Sequence, residues 1–90
     1  MKFEFDSAKS KLNKLKHGVD FIEAQEVWLG PFCEIPAKDK AEQRRLVIGY
    51  VGAKLYSAIV TRRGAMIRII SLRRARDEEK KIHGRLANDG

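Results

Sequence analysis

The stretch RRLVIGYVGAKLYSAIVTRRGAMIRIISL, residues 44–72, decides the fold of this 90-residue chain. It is rich in β-branched and aromatic residues, which favour strands. Turns at Gly52-Ala53 and Arg63-Gly64 divide it into three consecutive strands. The predicted strands cover residues 44–51, 55–61 and 66–72. The third strand carries apolar residues on both faces, so we predict a central place for it in the sheet.

The residues before this stretch predict a short strand and a first helix. Phe3 and Phe5 alternate with Glu4, a pattern that is typical of a strand. The helix begins after a cap by Asp6 or Ser7 and ends at Gly18. Its apolar stripe consists of Ala8, Leu12 and Leu15, and its neighbouring polar stripe consists of Lys9, Asn13 and Lys16.

Two further helices are predicted, one before and one after these strands in the sequence. Asp20 and Glu23 form a capping-box pattern that starts a short helix, which ends at Gly30-Pro31. Its buried face comprises Phe21, Ala24, Val27 and Trp28. The pattern at residues 32–35 is compatible with another strand. From Ala75 onward the chain is helical and polar, with Ala75, Ile82 and Leu86 as its apolar stripe, so this helix docks weakly or fits a partner.

The predicted fold class is α+β. The order is a short N-terminal strand, two helices, an antiparallel sheet of three to four further strands and a C-terminal helix. We expect the helices to lie on one face of the sheet. Residues 1–90 are expected to form a single domain, because a chain of this length accommodates one core.

Composition excludes several classes of protein. A single cysteine excludes an internal disulfide, as is typical of a reducing cytoplasm. Cys33, His17 and His83 lack the spacing of a metal site, and we expect neither a metal nor another cofactor. The N-terminus is acidic where a signal peptide is apolar, and no apolar run approaches the ~20 residues that span a membrane. We therefore expect a cytoplasmic protein that does not bind membranes.

The distribution of charge indicates a polyanionic partner. The formal net charge is +7, and residues 44–76 carry nine Lys or Arg and no acidic residue. Clustered arginines on a small basic domain are typical of nucleic-acid binding. The alternative is a basic surface that serves solubility alone.

Arginines within the strands are the first candidates for chemistry. Simple alternation places Arg68 on one face of the third strand and both Ser71 and Arg73 on the other. Because strands twist at their ends, Arg73 can turn to either face. Arg44 begins the first strand among apolar neighbours. Such an arginine needs an anion or a hydrogen-bond partner, which is either a phosphate or a structural ion pair with Glu42 or Glu79.

Two histidines are candidates for proton transfer. His17 closes the first helix after Lys16, where it is either a general acid or base or a cap that compensates the helix dipole. His83 lies four residues after Glu79 on the last helix, so the two form either an acid–base pair or an ordinary surface contact.

Three segments of the chain, in series, carry the signatures of one known family. The first segment contains Phe5, Asp6, Lys9, Asn13, Lys16-His17-Gly18-Val19, Phe21 and Ala24. The second contains Glu42, Arg44 and Gly49, and the third contains Ile67 to Ser71, Arg73-Arg74-Ala75 and Glu79. In this order and at this spacing they resemble the BrnT family of toxins.

The resemblance implies a RelE-like fold and a toxin of a type II toxin–antitoxin system. Such toxins are ribonucleases that cut RNA without a metal and inhibit translation and growth. The implied partner is a BrnA-type ribbon-helix-helix antitoxin, with DNA bound only through the toxin–antitoxin complex. On this basis the expected catalytic residues are Lys16, His17, Glu42, Arg44, Arg68 and Arg73. The expected RNA contacts are Arg62, Arg63, Arg74 and Arg76, and the secondary candidates are Ser71, Glu79 and His83.

Two other classes of function remain possible from the sequence. One is a basic RNA- or DNA-binding module without catalysis, although the strands offer only Tyr50 and Tyr56 as aromatic platforms for bases. The other is a protein-interaction module that uses the polar last helix as its docking surface. Incubation of the purified protein with RNA, with and without a chelator, separates these classes.

Overall fold

A five-stranded sheet forms the centre of the protein in a computed structural model that describes residues 1–37 and 43–87. The strands are β1 (Lys2–Phe5), β2 (Cys33–Pro36), β3 (Arg45–Val51), β4 (Lys54–Arg63) and β5 (Met66–Arg74). The helices are α1 (Ser7–His17), a 3₁₀ helix (Glu23–Trp28) and α2 (Asp77–Leu86). The predicted α+β order is confirmed.

The strand order in the sheet is β1-β5-β4-β3-β2. Strands β2 to β5 pair antiparallel, whereas β1 pairs parallel with β5, so the sheet as a whole is mixed. β5 has a hydrogen-bonded neighbour on each side, so it is an inner strand as its apolar residues predict, although β4 is the middle strand of the sheet. Both predicted turns are present, with Gly52 at φ +62° between β3 and β4 and Gly64 at φ +59° between β4 and β5.

The helix ends follow the predicted capping residues. Asp6 caps α1 by accepting a hydrogen bond from the Lys9 backbone N–H at 3.1 Å, and Gly18 ends the helix at φ +78°. Asp20 and Glu23 form the predicted capping box, in which each side chain accepts a hydrogen bond from the other residue's backbone N–H. The helix that follows is a 3₁₀ helix of 6 residues, which is longer than the about three to four residues that such helices usually reach.

One face of the sheet packs against the 3₁₀ helix and forms the main core. Phe21, Ala24 and Val27 are buried there against Val47 and other strand residues. A Cβ atom at Gly49 would lie 2.8 Å from Val27, so glycine permits this close approach of β3 and the helix.

The other face of the sheet is partly covered by α2. Ile82 of α2 packs against a second core that includes Leu46, Ile48 and Cys33. The expectation that all helices lie on one face is therefore wrong. Consecutive residues of β3 are apolar, with Val47 in the first core and its two neighbours, Leu46 and Ile48, in the second, so both faces require a cover.

α1 packs along the edge of β5 through polar side chains. β1 covers that edge only as far as Ile69, and beyond it the Leu72 backbone N–H donates to Asn13 Oδ1 at 3.2 Å. Asn13 and Ser10 are buried, whereas Leu12 and Leu15 are exposed. The predicted apolar stripe is thus not the packing face, because an uncovered strand edge presents backbone donors that need polar partners. No helix in the described ranges is long and apolar enough to cross a membrane.

Candidate functional site

A β-bulge in β5 interrupts the regular alternation of its side chains. Val60 of β4 pairs with Ile69, but the preceding residue, Ile59, pairs with Ser71. Ile70 is therefore an extra residue without a partner of its own on β4. A bulge of this kind shifts every later side chain of the strand by one position.

The shift brings two arginines to the same face of the sheet. Leu72 joins Ile67 and Ile69 in the first core, so Arg68 and Arg73 both lie on the face that α2 partly covers. Simple alternation, which puts these two arginines on opposite faces, does not hold here, and of the two faces that the sequence leaves open for Arg73 the structure has the one that carries Arg68. In a regular strand, two residues that are five positions apart point to opposite faces. The extra residue at the bulge lies between Arg68 and Arg73, so these two side chains point to the same face.

Two adjoining cavities on this face are lined by basic side chains. The larger has a volume of about 400 Å³ and the smaller of about 210 Å³, and Arg44 lines both. We call this surface the arginine groove. Its basic residues are Lys9, Arg44, Arg63, Arg68, Arg73 and Arg76. Such a concentration of cations attracts a polyanion and stabilises charge on a phosphate.

A buried carboxylate fixes the orientation of Arg73. Arg73 Nη1 and Nη2 donate to Glu79 Oε1 and Oε2, each at 2.8 Å, in a bidentate pair. Glu79 Oε1 also accepts from the Ser57 hydroxyl at 2.8 Å and from the Arg76 backbone N–H at 2.9 Å. The hydrogen bond from Arg73 is the main cause that lowers the pKa of Glu79 to about 2. Glu79 is therefore a positioning group for Arg73.

This pair makes the stability of the protein depend on pH in the acid range. The folded pKa of Glu79 lies below its ordinary value of 4.5, so its stabilisation is complete above pH 4.5 and is lost as pH falls towards 2. We expect Glu79→Gln to lower the free energy of unfolding at pH 7 by roughly 3 kcal/mol. Urea unfolding at a series of pH values should show the deficit shrinking below pH 4.5. A deficit that is independent of pH contradicts this assignment, and Glu78→Gln serves as a control at an exposed neighbour.

Glu4 lies beside the other end of the groove. Its carboxylate is 3.7 Å from Arg68 Nη1 and 3.9 Å from Arg63 Nε. Neither distance corresponds to a hydrogen bond. An anion in the groove can therefore bind Arg68 without displacing a hydrogen bond between Arg68 and Glu4.

Two of the arginines that were expected to contact RNA lie on the opposite face. Arg62 pairs in register with the core residue Ile67 and donates to Glu34 at 2.9 Å. The Arg74 guanidinium lies over the Tyr56 ring at 5.6 Å from its centroid. Both side chains have local partners outside the arginine groove.

Lys16 and His17 occupy the last turn of α1 and are exposed. They follow Asn13, which contacts β5, by three and four residues and so lie about one helical turn beyond it. Lys9, on the same stripe as Asn13 and Lys16, lines the smaller cavity. The helix thus runs from the groove at its first turn to His17 at its last.

His83 is buried and already has a partner. Its Nε2 lies 2.9 Å from the Pro31 carbonyl oxygen, to which it donates, and its ring packs edge-on against Tyr50. Glu79, four residues earlier, faces Arg73 and Ser57 instead. These contacts make His83 part of the packing between α2 and the loop before β2.

Of the remaining predicted site residues, one lies in the groove and one lies outside the described residues. Ser71 lines the larger cavity beside Arg73. Glu42 lies outside the described residues. Sequence reasoning missed Lys9 and Glu4 as groove residues, although the i, i+4, i+7 spacing of Lys9 with Asn13 and Lys16 was a usable signal. Within residues 1–37 and 43–87, no three His, Cys, Asp or Glu side chains are grouped to hold a metal ion.

Comparison with known proteins identifies a family and a similar solved structure. A family model described as the ribonuclease toxin BrnT of type II toxin–antitoxin systems matches residues 5–79. Among solved structures, the chain is similar to the crystal structure of the ribonuclease toxin BrnT of Brucella abortus, with a TM-score of 0.70 and 30% sequence identity. That match covers 86% of this chain and 99% of the other. A comparison with curated proteins gives no match.

Proposed function

The chain belongs to the BrnT family of ribonuclease toxins of type II toxin–antitoxin systems, and we propose that its arginine groove is the site of RNA cleavage. The observation that carries this proposal is the β5 bulge, which places Arg68 and Arg73 on one face beside Arg44. Three guanidinium groups on one face suit a phosphodiester whose negative charge increases during reaction.

The proposed reaction needs no metal ion. The ribose 2′-hydroxyl oxygen attacks the adjacent phosphorus, and the bond between phosphorus and the 5′-oxygen breaks. The 2′-hydroxyl loses its proton and the leaving 5′-oxygen gains one, so the products carry a 2′,3′-cyclic phosphate and a 5′-hydroxyl. The protein must align these atoms, transfer the protons and stabilise the negative charge of the pentacoordinate phosphorus.

The described contacts suggest different roles for the arginines. Arg44 and Arg68 bind the phosphate and stabilise its developing charge. Arg73 does so from a guanidinium that Glu79 holds in place. Arg63 and Arg76 extend the positive surface along the RNA, whereas Arg62 and Arg74 are omitted because they lie on the other face.

Proton transfer is assigned to His17, with Glu42 as the alternative base and Lys16 as a neighbouring cation. Of the two histidines, His83 is buried and donates to a carbonyl, whereas His17 presents its imidazole to solvent. His17 lies eight residues after the groove residue Lys9, about 12 Å along the axis of α1. This role therefore requires the reacting ribose to lie between the groove and the C-terminal end of α1, within reach of both Arg68 and His17.

The partner is proposed to be a BrnA-type ribbon-helix-helix antitoxin, and DNA is contacted only through the complex. Membership of a type II family implies an antitoxin. Large exposed apolar side chains at Leu15, Ile22 and Leu29 support a protein partner.

We place the toxin in the cytoplasm, where its RNA substrate is translated, and treat residues 1–90 as one domain.

Expression of the chain alone is expected to halt bacterial growth and lower translation. Growth rate and incorporation of labelled amino acids measure the effect, and co-expression of the antitoxin should restore both. The Arg68→Ala variant is the matched control, because it removes one groove cation and should permit growth. Normal growth with folded protein present at a confirmed level contradicts the toxin assignment.

A further inference from the structure

The larger cavity of the arginine groove combines a charged rim with an apolar wall. The wall is formed by Ile35, Pro36, Leu46, Ile59 and Ile82. We call this part the apolar cleft. Ile82 projects from α2 and is half-buried, whereas Leu46 belongs to the core beneath it. A phosphate gains nothing from an apolar wall, but a planar base buries its faces there.

The apolar cleft adjoins the part of the groove that suits a phosphate. The smaller cavity is lined by Lys9, Thr61, Arg63 and Arg68, with Ile70 as its apolar contribution. Arg44 lines both cavities and so lies between them. A nucleotide with its phosphate at Arg44 can therefore direct its base into the cleft. About 400 Å³ is sufficient space for one nucleotide base.

Two charged side chains at the rim can read the edge of that base. Glu78 lines the cleft, is exposed, and forms no hydrogen bond or ion pair with any residue in the described ranges. An ionised carboxylate only accepts hydrogen bonds, through two oxygens. Guanine is the base that presents two adjacent donors, N1–H and N2–H, on one edge. Arg76, also at the rim, can donate to the neighbouring guanine O6.

We infer that the apolar cleft binds the base of the nucleotide beside the scissile phosphate, and that Glu78 makes it select guanine. The inference rests on the proposed ribonuclease function. Glu78 acts in substrate choice and not in bond cleavage. Ile82 provides apolar contact for the base and carries no selectivity of its own.

Sequencing of the cleavage ends from a randomised RNA pool tests the inference in three proteins. The wild type is expected to cut with guanine at one fixed position beside the cleaved bond. Glu78→Gln should reduce that preference roughly tenfold while the overall cleavage of the pool persists. Asp77→Asn is the matched control, because it removes one negative charge from the same turn of α2 at a residue that does not line the cleft. It should retain the preference.

A titration with mononucleotides separates this inference from the cleavage reaction. The methyl NMR signals of Ile35 and Ile82 should shift at lower concentrations of 3′-GMP than of 3′-CMP, and Glu78→Gln should abolish the difference. Equal responses to both nucleotides, or cleavage by the wild type without a guanine preference, overturn the inference and leave the ribonuclease assignment intact. Selective binding of 3′-GMP without cleavage of any RNA supports the cleft and contradicts the proposed function.

Discussion

Replacement of Arg68 by alanine is expected to slow RNA cleavage at least about a hundredfold while the protein stays folded. Arg68 lies on the groove face, and its nearest acidic partner, Glu4, is 3.7 Å away. Loss of this guanidinium removes a donor for the transition state and disrupts no hydrogen-bonded network in the described residues. Single-turnover cleavage rates and thermal melts of the same samples measure the two effects separately.

Matched variants make this result specific to the groove. Arg62→Ala removes the same charge from the opposite face of β4 and should leave the rate within a few-fold of wild type. Arg68→Lys keeps the charge without the planar fork and should give an intermediate rate. Arg73→Ala should reduce stability as well as rate, because it leaves the buried Glu79 carboxylate without its cation. An unchanged rate in Arg68→Ala contradicts the site assignment.

The second large effect concerns His17. If its imidazole transfers a proton, His17→Ala should lower the cleavage rate by ~10²–10⁴-fold with little change in RNA affinity. Any limb of the pH–rate profile that depends on this imidazole should disappear. Cleavage rates between pH 5 and 9, together with RNA affinity at each pH, provide the measurement.

The His17→Lys variant separates proton transfer from helix capping. A lysine preserves a cation at the C-terminal end of α1, so it retains any favourable interaction with the helix dipole. We expect it to match the wild type in stability and His17→Ala in rate. If both variants keep the wild-type pH–rate profile and His17→Ala only melts earlier, His17 is a cap and Glu42 becomes the candidate base.

Local patterns predicted the elements of this fold well. β-Branched residues and turn glycines specified β3, β4 and β5, and the caps at Asp6, Gly18 and Asp20 formed as expected. These features depend on interactions between residues close in sequence. Two-sided apolarity likewise identified β5 as an inner strand.

Features that depend on tertiary pairing were not predicted. The bulge at Ile70 arises from the register between β4 and β5, and it reverses the face of Arg73 relative to simple alternation. The burial of Asn13 depends on an edge of β5 that β1 leaves uncovered. The Glu79–Arg73 pair likewise requires α2 to fold back over the sheet. The sequence therefore indicated the arginines as candidates but not which of them share a face.

The most direct test of the groove as a metal-independent ribonuclease site is analysis of the RNA ends that the purified protein produces in excess EDTA. We predict that cleavage continues and that the products carry 2′,3′-cyclic phosphate and 5′-hydroxyl ends. Arg68→Ala protein purified in the same way should produce these ends at least about a hundredfold more slowly, which excludes a contaminating nuclease. Loss of cleavage in EDTA, or products with 3′-hydroxyl and 5′-phosphate ends, would contradict the assignment of the groove as a metal-independent ribonuclease site.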